Sequence, residues 1–85
     1  MQTMPFNYQQ IEPQIRQALY ETLGQHIAIS TEEVDFGRVF VKVIAPSLNG
    51  LSPKSKQDAV WNALHHLGPN AEAVSLVLAF GTDEI

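Results

Sequence analysis

The chain has 85 residues, nine acidic and five basic side chains, a formal net charge of −4 and no cysteine. The length predicts one domain, and an apolar fraction of 45% is typical of a globular protein and not of a disordered one. The sequence therefore excludes disulfides and thiolate-ligated metal centres built from this chain alone, and its acidic balance disfavours strong nonspecific nucleic-acid binding.

The amino-terminal residues MQTMPFNYQQ lack the basic and apolar regions of a secretory signal, and residues 1–6 are expected to be loosely held. No stretch approaches the roughly 20 apolar residues that a membrane helix needs. We therefore expect a cytoplasmic protein with no membrane partner.

An apolar stripe predicts the first helix. Pro13 fits the first helical turn, where its missing N–H costs nothing, and Gly24 is a typical helix terminator. We predict a helix from about Glu12 to Leu23, because a start near Asn7 would place Pro13 inside the helix at a cost of about 3 kcal/mol. The apolar side chains that recur every four residues and share one helix face are Ile11, Ile15, Leu19 and Leu23.

Two strands are predicted to follow as an antiparallel hairpin. The first runs from His26 to Val34, and its alternation slips near Glu32 and Glu33, which indicates a bulge or an early end. Asp35-Phe36-Gly37 forms the predicted turn, and Arg38 to Ala45 forms the second strand. Alternation places Val39, Val41 and Val43 on one face of the second strand and Phe40, Lys42 and Ile44 on the other.

A second helix and a third strand complete the chain. Ser52 is a good helix cap and Pro53 a good first helical residue, so this helix is predicted from there to about Leu67. Val74 to Phe80 is almost continuously apolar, which predicts a central strand. The residues expected on the buried stripe of the second helix are Val60, Ala63, Leu64 and Leu67.

The connection through this helix has room for a right-handed crossover that makes the third strand parallel to the second. The predicted fold is therefore of the α+β class, ordered α-β-β-α-β. Its three-stranded mixed sheet carries two helices packed on one face.

The element order and several short segments resemble the BolA family, whose fold is likened to one class of KH domains. Leu48-Asn49-Gly50-Leu51-Ser52 is similar to a Gly-Leu-Ser segment that precedes the second helix in that family. In ungapped register, Lys56-Gln57-Asp58 falls on a basic–His–basic triplet and Val74-Ser75-Leu76 on a His-Ala-Leu segment. The ending Thr82-Asp83-Glu84 is similar to the family's acidic ending.

The resemblance implies a monothiol glutaredoxin as partner, joined through a shared 2Fe–2S cluster, and a role in iron–sulfur trafficking or stress regulation. The family supplies cluster ligands from the third strand and from the loop between the first two strands. In this chain the ligand position on the third strand is Val74, and the loop Glu32 to Arg38, which would supply the second ligand, contains neither His nor Cys. We therefore predict no cofactor for this chain alone.

The resulting interpretation is a non-enzymatic, BolA-like interaction domain spanning residues 1–85. Adjacent His65 and His66 point about 100° apart on a helix and cannot easily share a metal, and Glu32, Glu33 and Asp35 are interpreted as a solvated cluster. The predicted partner-binding residues are Leu48, Asn49, Gly50, Ser52, Lys54, Lys56 and Val74.

Two other functions stay open at this point. One is a KH-like nucleic-acid-binding module that uses Arg38, Lys42, Lys54 and Lys56. The other is a structural domain that forms a homodimer through a sheet edge or through Trp61, whose placement in the core or at an interface the sequence leaves undecided.

Overall fold

The computed structural model describes residues 8–34 and 38–85. The predictions of a loosely held segment 1–6 and of a turn at Asp35-Phe36-Gly37 lie outside these residues. The helices and strands are α1 (Tyr8–Leu23), β1 (Ala28–Glu33), β2 (Val39–Ala45), α2 (Pro53–Leu64) and β3 (Val74–Gly81). Short 3₁₀ segments cover Pro46–Leu48, His65–Ala73 and Thr82–Glu84.

The strands form one mixed sheet in the order β1-β2-β3, with β1 antiparallel and β3 parallel to β2. This arrangement confirms the predicted α+β class and the parallel crossover. The prediction that the third strand is central is wrong, since β2 holds that place and β3 lies at the edge. β3 is almost continuously apolar because both of its faces carry apolar side chains. An apolar run of this kind does not require a neighbouring strand on each side of β3.

A bulge in β3 sets which of its side chains face the helices. Val39 pairs with Val74, but the next residue, Phe40, pairs with Leu76, so Ser75 is one extra residue in β3. Beyond the bulge, Val77 is buried while Leu76 and Leu78 are exposed.

Both helices pack on one face of the sheet, which we call the inner face. The predicted alternation of β2 is confirmed, because its inward residues Val39, Val41 and Val43 are each no more than 1% exposed. We call the opposite side the outer face. Its side chains are Ala28, Ser30, Glu32, Arg38, Phe40, Lys42, Ile44, Leu76, Leu78 and Phe80.

Helix α1 already includes Tyr8, so the predicted start near Glu12 is wrong and Pro13 lies inside the helix. Contacts with β1 hold the first turn in place. The Tyr8 hydroxyl donates to Thr31 Oγ1 (2.7 Å), and that hydroxyl in turn donates to the Glu12 carboxylate (3.2 Å). Tertiary anchoring thus offsets the hydrogen bond that Pro13 removes.

The predicted end of α1 is confirmed. Gly24 has a φ of 104°, a left-handed conformation that suits glycine, and its N–H donates to the Tyr20 carbonyl at 3.1 Å. Strand β1 then begins two residues later and ends one residue earlier than the predicted range His26 to Val34.

The predicted start of α2 is also confirmed, because the Ser52 hydroxyl accepts the Ser55 N–H at 3.2 Å and Pro53 is the first helical residue. The α-helix ends at Leu64, three residues before the predicted end at Leu67. The chain continues as 3₁₀ turns with a kink at Gly68, since Pro69 disfavours helical backbone at the residue before it.

Candidate partner-binding surfaces

The residues predicted to bind a partner lie mostly around the start of α2, but they differ in exposure. Leu48 is 0%, Val74 is 6% and Lys56 is 8% exposed, so these three side chains are buried. A partner at this surface would contact the exposed members of the set, which are Asn49, Gly50, Ser52 and Lys54.

The loop before α2 is bound to the carboxy-terminal residues. Asn49 Nδ2 donates to Thr82 Oγ1 (2.9 Å), and Asn49 Oδ1 accepts the Asp83 N–H (3.1 Å). The Gly50 N–H donates to the Asp83 carboxylate (3.2 Å). Together with Lys56 and Glu84, these residues form what we call the carboxy-terminal clasp.

An ion pair completes the clasp. Lys56 Nζ donates to Glu84 Oε1, and the Gly81 N–H donates to the same oxygen at 2.8 Å. The hydrogen bond from Lys56, followed by the one from Gly81, lowers the pKa of Glu84 below its usual value. Lys56 is therefore committed to the fold and is not available as a surface cation.

Gly81 packs closely against the loop before α2. A Cβ atom at this position would lie 2.9 Å from Asn49 Cα, closer than carbon atoms approach without displacement. The loop and the carboxy-terminal turn therefore form one packed unit that only glycine admits at this point.

The second lysine at the start of α2 is also paired. Lys54 Nζ lies 2.9 Å from Asp58 Oδ2, one turn further along the helix, and this hydrogen bond raises the pKa of Lys54. Both side chains are largely exposed, so the pair contributes little to stability. It nevertheless places a carboxylate beside the cation that was predicted to attract an anionic partner.

The two remaining members of the predicted nucleic-acid set, Arg38 and Lys42, lie on the outer face of the sheet. Within residues 8–34 and 38–85 neither has an acidic partner, since Arg38 Nη1 donates to Ser75 Oγ (3.5 Å) and Lys42 lies over the ring of Phe80. The four predicted cations are therefore divided between two places on the molecule, and two of them are neutralised.

The outer face brings together three of the five large hydrophobic side chains that the described residues expose. Phe40 is 38%, Leu76 is 42% and Leu78 is 45% exposed, and Ile44 and Phe80 beside them are half-buried. Phe40 pairs with Leu76 and Lys42 with Leu78 across the strands, and the polar residues Ser30 and Glu32 on β1 border the same shallow groove. Apolar patches of this kind mark binding sites.

Sequence reasoning did not propose this surface, although the signal was present. Both faces of β2 and β3 carry apolar side chains, whereas the two helices of residues 8–34 and 38–85 pack on a single face. Neither of these helices covers the apolar side chains of the other face.

The free edge of β3 is partly closed by α2. Gln57 Nε2 donates to the Val77 carbonyl (2.8 Å), and Trp61 Nε1 donates to Gln57 Oε1 (3.2 Å). Trp61 is half-buried against the core. Its packing places it beside the core and the edge of β3, with part of its side chain still exposed.

The residues do not fit the 2Fe–2S cluster that the family resemblance implies. Val74, at the position of the family's ligand histidine, has no donor atom and is buried. His26, His65 and His66 are exposed, and no three His, Asp or Glu side chains of the described ranges come together in a way that could hold a metal ion.

Comparison with protein-family models, with curated proteins and with solved structures finds no match to this chain. Among the helices that the structure describes, none has both the length and the apolar character needed to cross a membrane.

Proposed function

We propose that the chain is a non-catalytic protein-interaction domain that binds its partner on the outer face of the sheet. The observation that supports this function is the exposure of Phe40, Leu76 and Leu78 side by side on the face of the sheet opposite to the one on which α1 and α2 pack. Full burial of such a side chain from a fully exposed state contributes about 1.5–3 kcal/mol, so burial of the part still exposed contributes a fraction of that, and aromatic residues such as Phe40 are enriched at protein interfaces.

The placement of the cations favours a protein partner over nucleic acid. Of the five basic residues, Arg16, Lys54 and Lys56 are paired with carboxylates of the chain itself. Binding to phosphate backbones requires several free cations along one surface, because affinity comes from neutralising successive phosphates. Arg38 and Lys42 alone would supply only a weak contribution of this kind.

The resemblance to the BolA family supports a more specific proposal, in which the partner is of the monothiol glutaredoxin class and the role lies in iron–sulfur or stress regulation. Because Val74 and the loop between β1 and β2 offer no family ligand, the complex would form without a cluster ligated by this chain. Docking would then depend on apolar contacts with the outer face.

Site-specific cross-linking tests the proposed function. The chain has no cysteine, so Leu78→Cys creates a unique attachment point for a photo-reactive cross-linker on the outer face. Leu51→Cys is the matched control, because Leu51 is 38% exposed and lies in the loop before α2. Labelled chain, in extract of the cells that make it, should give a discrete protein adduct from position 78 and none from position 51.

The adduct must then be reproduced with pure components. The captured protein should form a complex with the unmodified chain in sedimentation, and Leu78→Gln should abolish it while Leu51→Gln does not. Equal adducts from both positions, or none, would overturn the proposal.

A monothiol glutaredoxin tests the family role separately. We expect a complex whose visible spectrum shows no iron–sulfur absorption that depends on this chain. Absence of any complex would remove the family role and leave the interaction domain, whereas a chain-dependent absorption would contradict the ligand argument.

A further inference from the structure

We propose that the outer face accepts a single amphipathic helix whose apolar stripe is flanked by acidic side chains. This inference rests on the proposed function, because it specifies the chemistry of the partner for the same surface. It follows from the size of the face, from its charges and from the layer that is missing from the fold.

The dimensions of the face suit one helix. Three strands spaced about 4.8 Å apart, with a rise of about 3.3 Å per residue, give a face about 10 Å wide between the outer strands and about 20 Å long. A helix is about 10 Å across and covers about 20 Å with about 13 residues.

The charges on the outer face favour a partner whose contacting side chains are acidic. The chain as a whole has a net charge of −4, yet the described residues of the outer face include the two cations Arg38 and Lys42 and one carboxylate, Glu32. Neither cation has an acidic partner among the described residues, and Lys42 lies opposite Leu78 on the neighbouring strand and over the ring of Phe80. Acidic side chains beside an apolar stripe would pair with these cations, and a second copy of the same face would repel them.

A helix in this position would complete a familiar arrangement of layers. The inner face of the sheet is already covered by α1 and α2, and sheets with apolar residues on both faces are stable when helices cover both. The partner's helix would thus form the third layer, with the sheet between it and the two helices of this chain.

Designed peptides provide the test. Two 14-residue helices carry leucines at i, i+3, i+4 and i+7, one with flanking glutamates and its twin with lysines at the same positions. Each is titrated into the isotope-labelled full chain and followed by NMR at low salt. We expect the glutamate peptide to bind at least tenfold more tightly, to shift the signals of Phe40, Leu76 and Leu78, and to lose its advantage as salt is raised.

Matched variants identify the cations responsible. Lys42→Gln should weaken binding of the glutamate peptide several-fold. Lys54→Gln should leave this binding unchanged, because Lys54 is already paired with Asp58 on another surface. Equal or tighter binding of the lysine peptide, or shifts confined to the carboxy-terminal clasp, would overturn the inference. So would concentration-dependent dimers that bury the outer face.

The two proposals fail in different ways. If cross-linking from position 78 captures a partner but the glutamate peptide has no advantage over its twin, the inference is wrong and the interaction domain stands. If neither peptide binds and no specific adduct forms, both are wrong.

Discussion

The ammonium nitrogen of Lys42 lies 5.7 Å from the centre of the Phe80 ring, across the neighbouring strands β2 and β3. A cation at this distance from an aromatic face gains about 0.5–1 kcal/mol at an exposed site. The pair keeps a positive charge at the middle of the outer face and limits its freedom to move away. The outer face is thus an apolar surface that carries a positioned cation.

Two leucines on opposite sides of the sheet should respond very differently to the same substitution. Leu64, on α2, is 0% exposed, whereas Leu78 is 45% exposed on the outer face. Leu64→Ala should lower the free energy of unfolding by about 2–5 kcal/mol, because it leaves a cavity in the core. Leu78→Ala should lower it by less than about 1 kcal/mol. Urea unfolding of both variants measures the difference, and similar losses would show that Leu78 is buried in solution.

The carboxy-terminal clasp should make stability depend on pH through Glu84. Lys56 and the Gly81 N–H lower the pKa of this carboxyl in the folded chain, so its contribution is complete above the usual glutamate pKa of about 4.3. The contribution is lost as pH falls through the lower folded pKa. Glu84→Gln should therefore reduce the melting temperature at pH 7, and the gap from the unmodified chain should narrow when the pH is lowered from 7 to about 3.

Glu72→Gln is the control for that experiment. Glu72 is exposed and has no hydrogen bond or ion pair with the described residues. Its substitution should leave the melting temperature close to that of the unmodified chain at both pH values. If the difference in melting temperature between Glu84→Gln and the unmodified chain stayed constant with pH, the ionised Glu84 carboxylate would not stabilise the carboxy-terminal clasp.

Adding one methyl group at Gly81 should disrupt the clasp sterically. The new Cβ would lie 2.9 Å from Asn49 Cα and 2.5 Å from Asp83 Oδ1, so the loop and the carboxy-terminal turn would have to separate. Gly81→Ala should cost about 1–3 kcal/mol in unfolding free energy, the usual range for overpacking. Ser75→Ala, at the exposed bulge of the same strand, should cost much less. A Gly81→Ala variant with an unchanged free energy of unfolding would show that the loop before α2 and the carboxy-terminal turn are not in contact.

Removing the amide of Gln57 should open the edge of β3. The Gln57 side chain donates a hydrogen bond to the Val77 carbonyl at this edge. A sheet edge whose backbone carbonyl and N–H groups have no partner tends to pair with a strand of another chain. Gln57→Ala should lower stability by about 1 kcal/mol and increase self-association in sedimentation. Asn62→Ala, a nearby exposed change on α2, is the control, and equal behaviour of the two variants would argue against edge protection.

Local signals in the sequence predicted the boundaries that depend on local chemistry. The cap at Ser52 and the stop at Gly24 were predicted because capping and left-handed backbone are properties of a few adjacent residues. The early start of α1 was missed because Pro13 argued against it locally, while the contacts of Tyr8 and Glu12 with Thr31 join residues about 20 positions apart.

Long-range pairings explain the remaining differences. Asn49 and Asp83 are 34 positions apart, and no pattern near either residue indicates that they meet. The apolar run of β3 predicted a central strand, but in the structure β3 is an edge strand with buried side chains on one face and exposed ones on the other. Because the exposed face of β3 carries Leu76 and Leu78, the candidate site lies on the outer face, whereas the sequence predicted it in the loop before α2.

The most direct test of the central claim is a measurement of side-chain exposure by NMR with a soluble gadolinium chelate. In the free chain, the methyl signals of Leu76 and Leu78 should broaden as strongly as those of Leu51, while those of Val41 and Val77 should be protected. When the cross-linked partner is added, protection should spread to Leu76 and Leu78 but not to Leu51. Methyl signals of Leu78 that are as protected as those of Val77 in the free chain would contradict the claim.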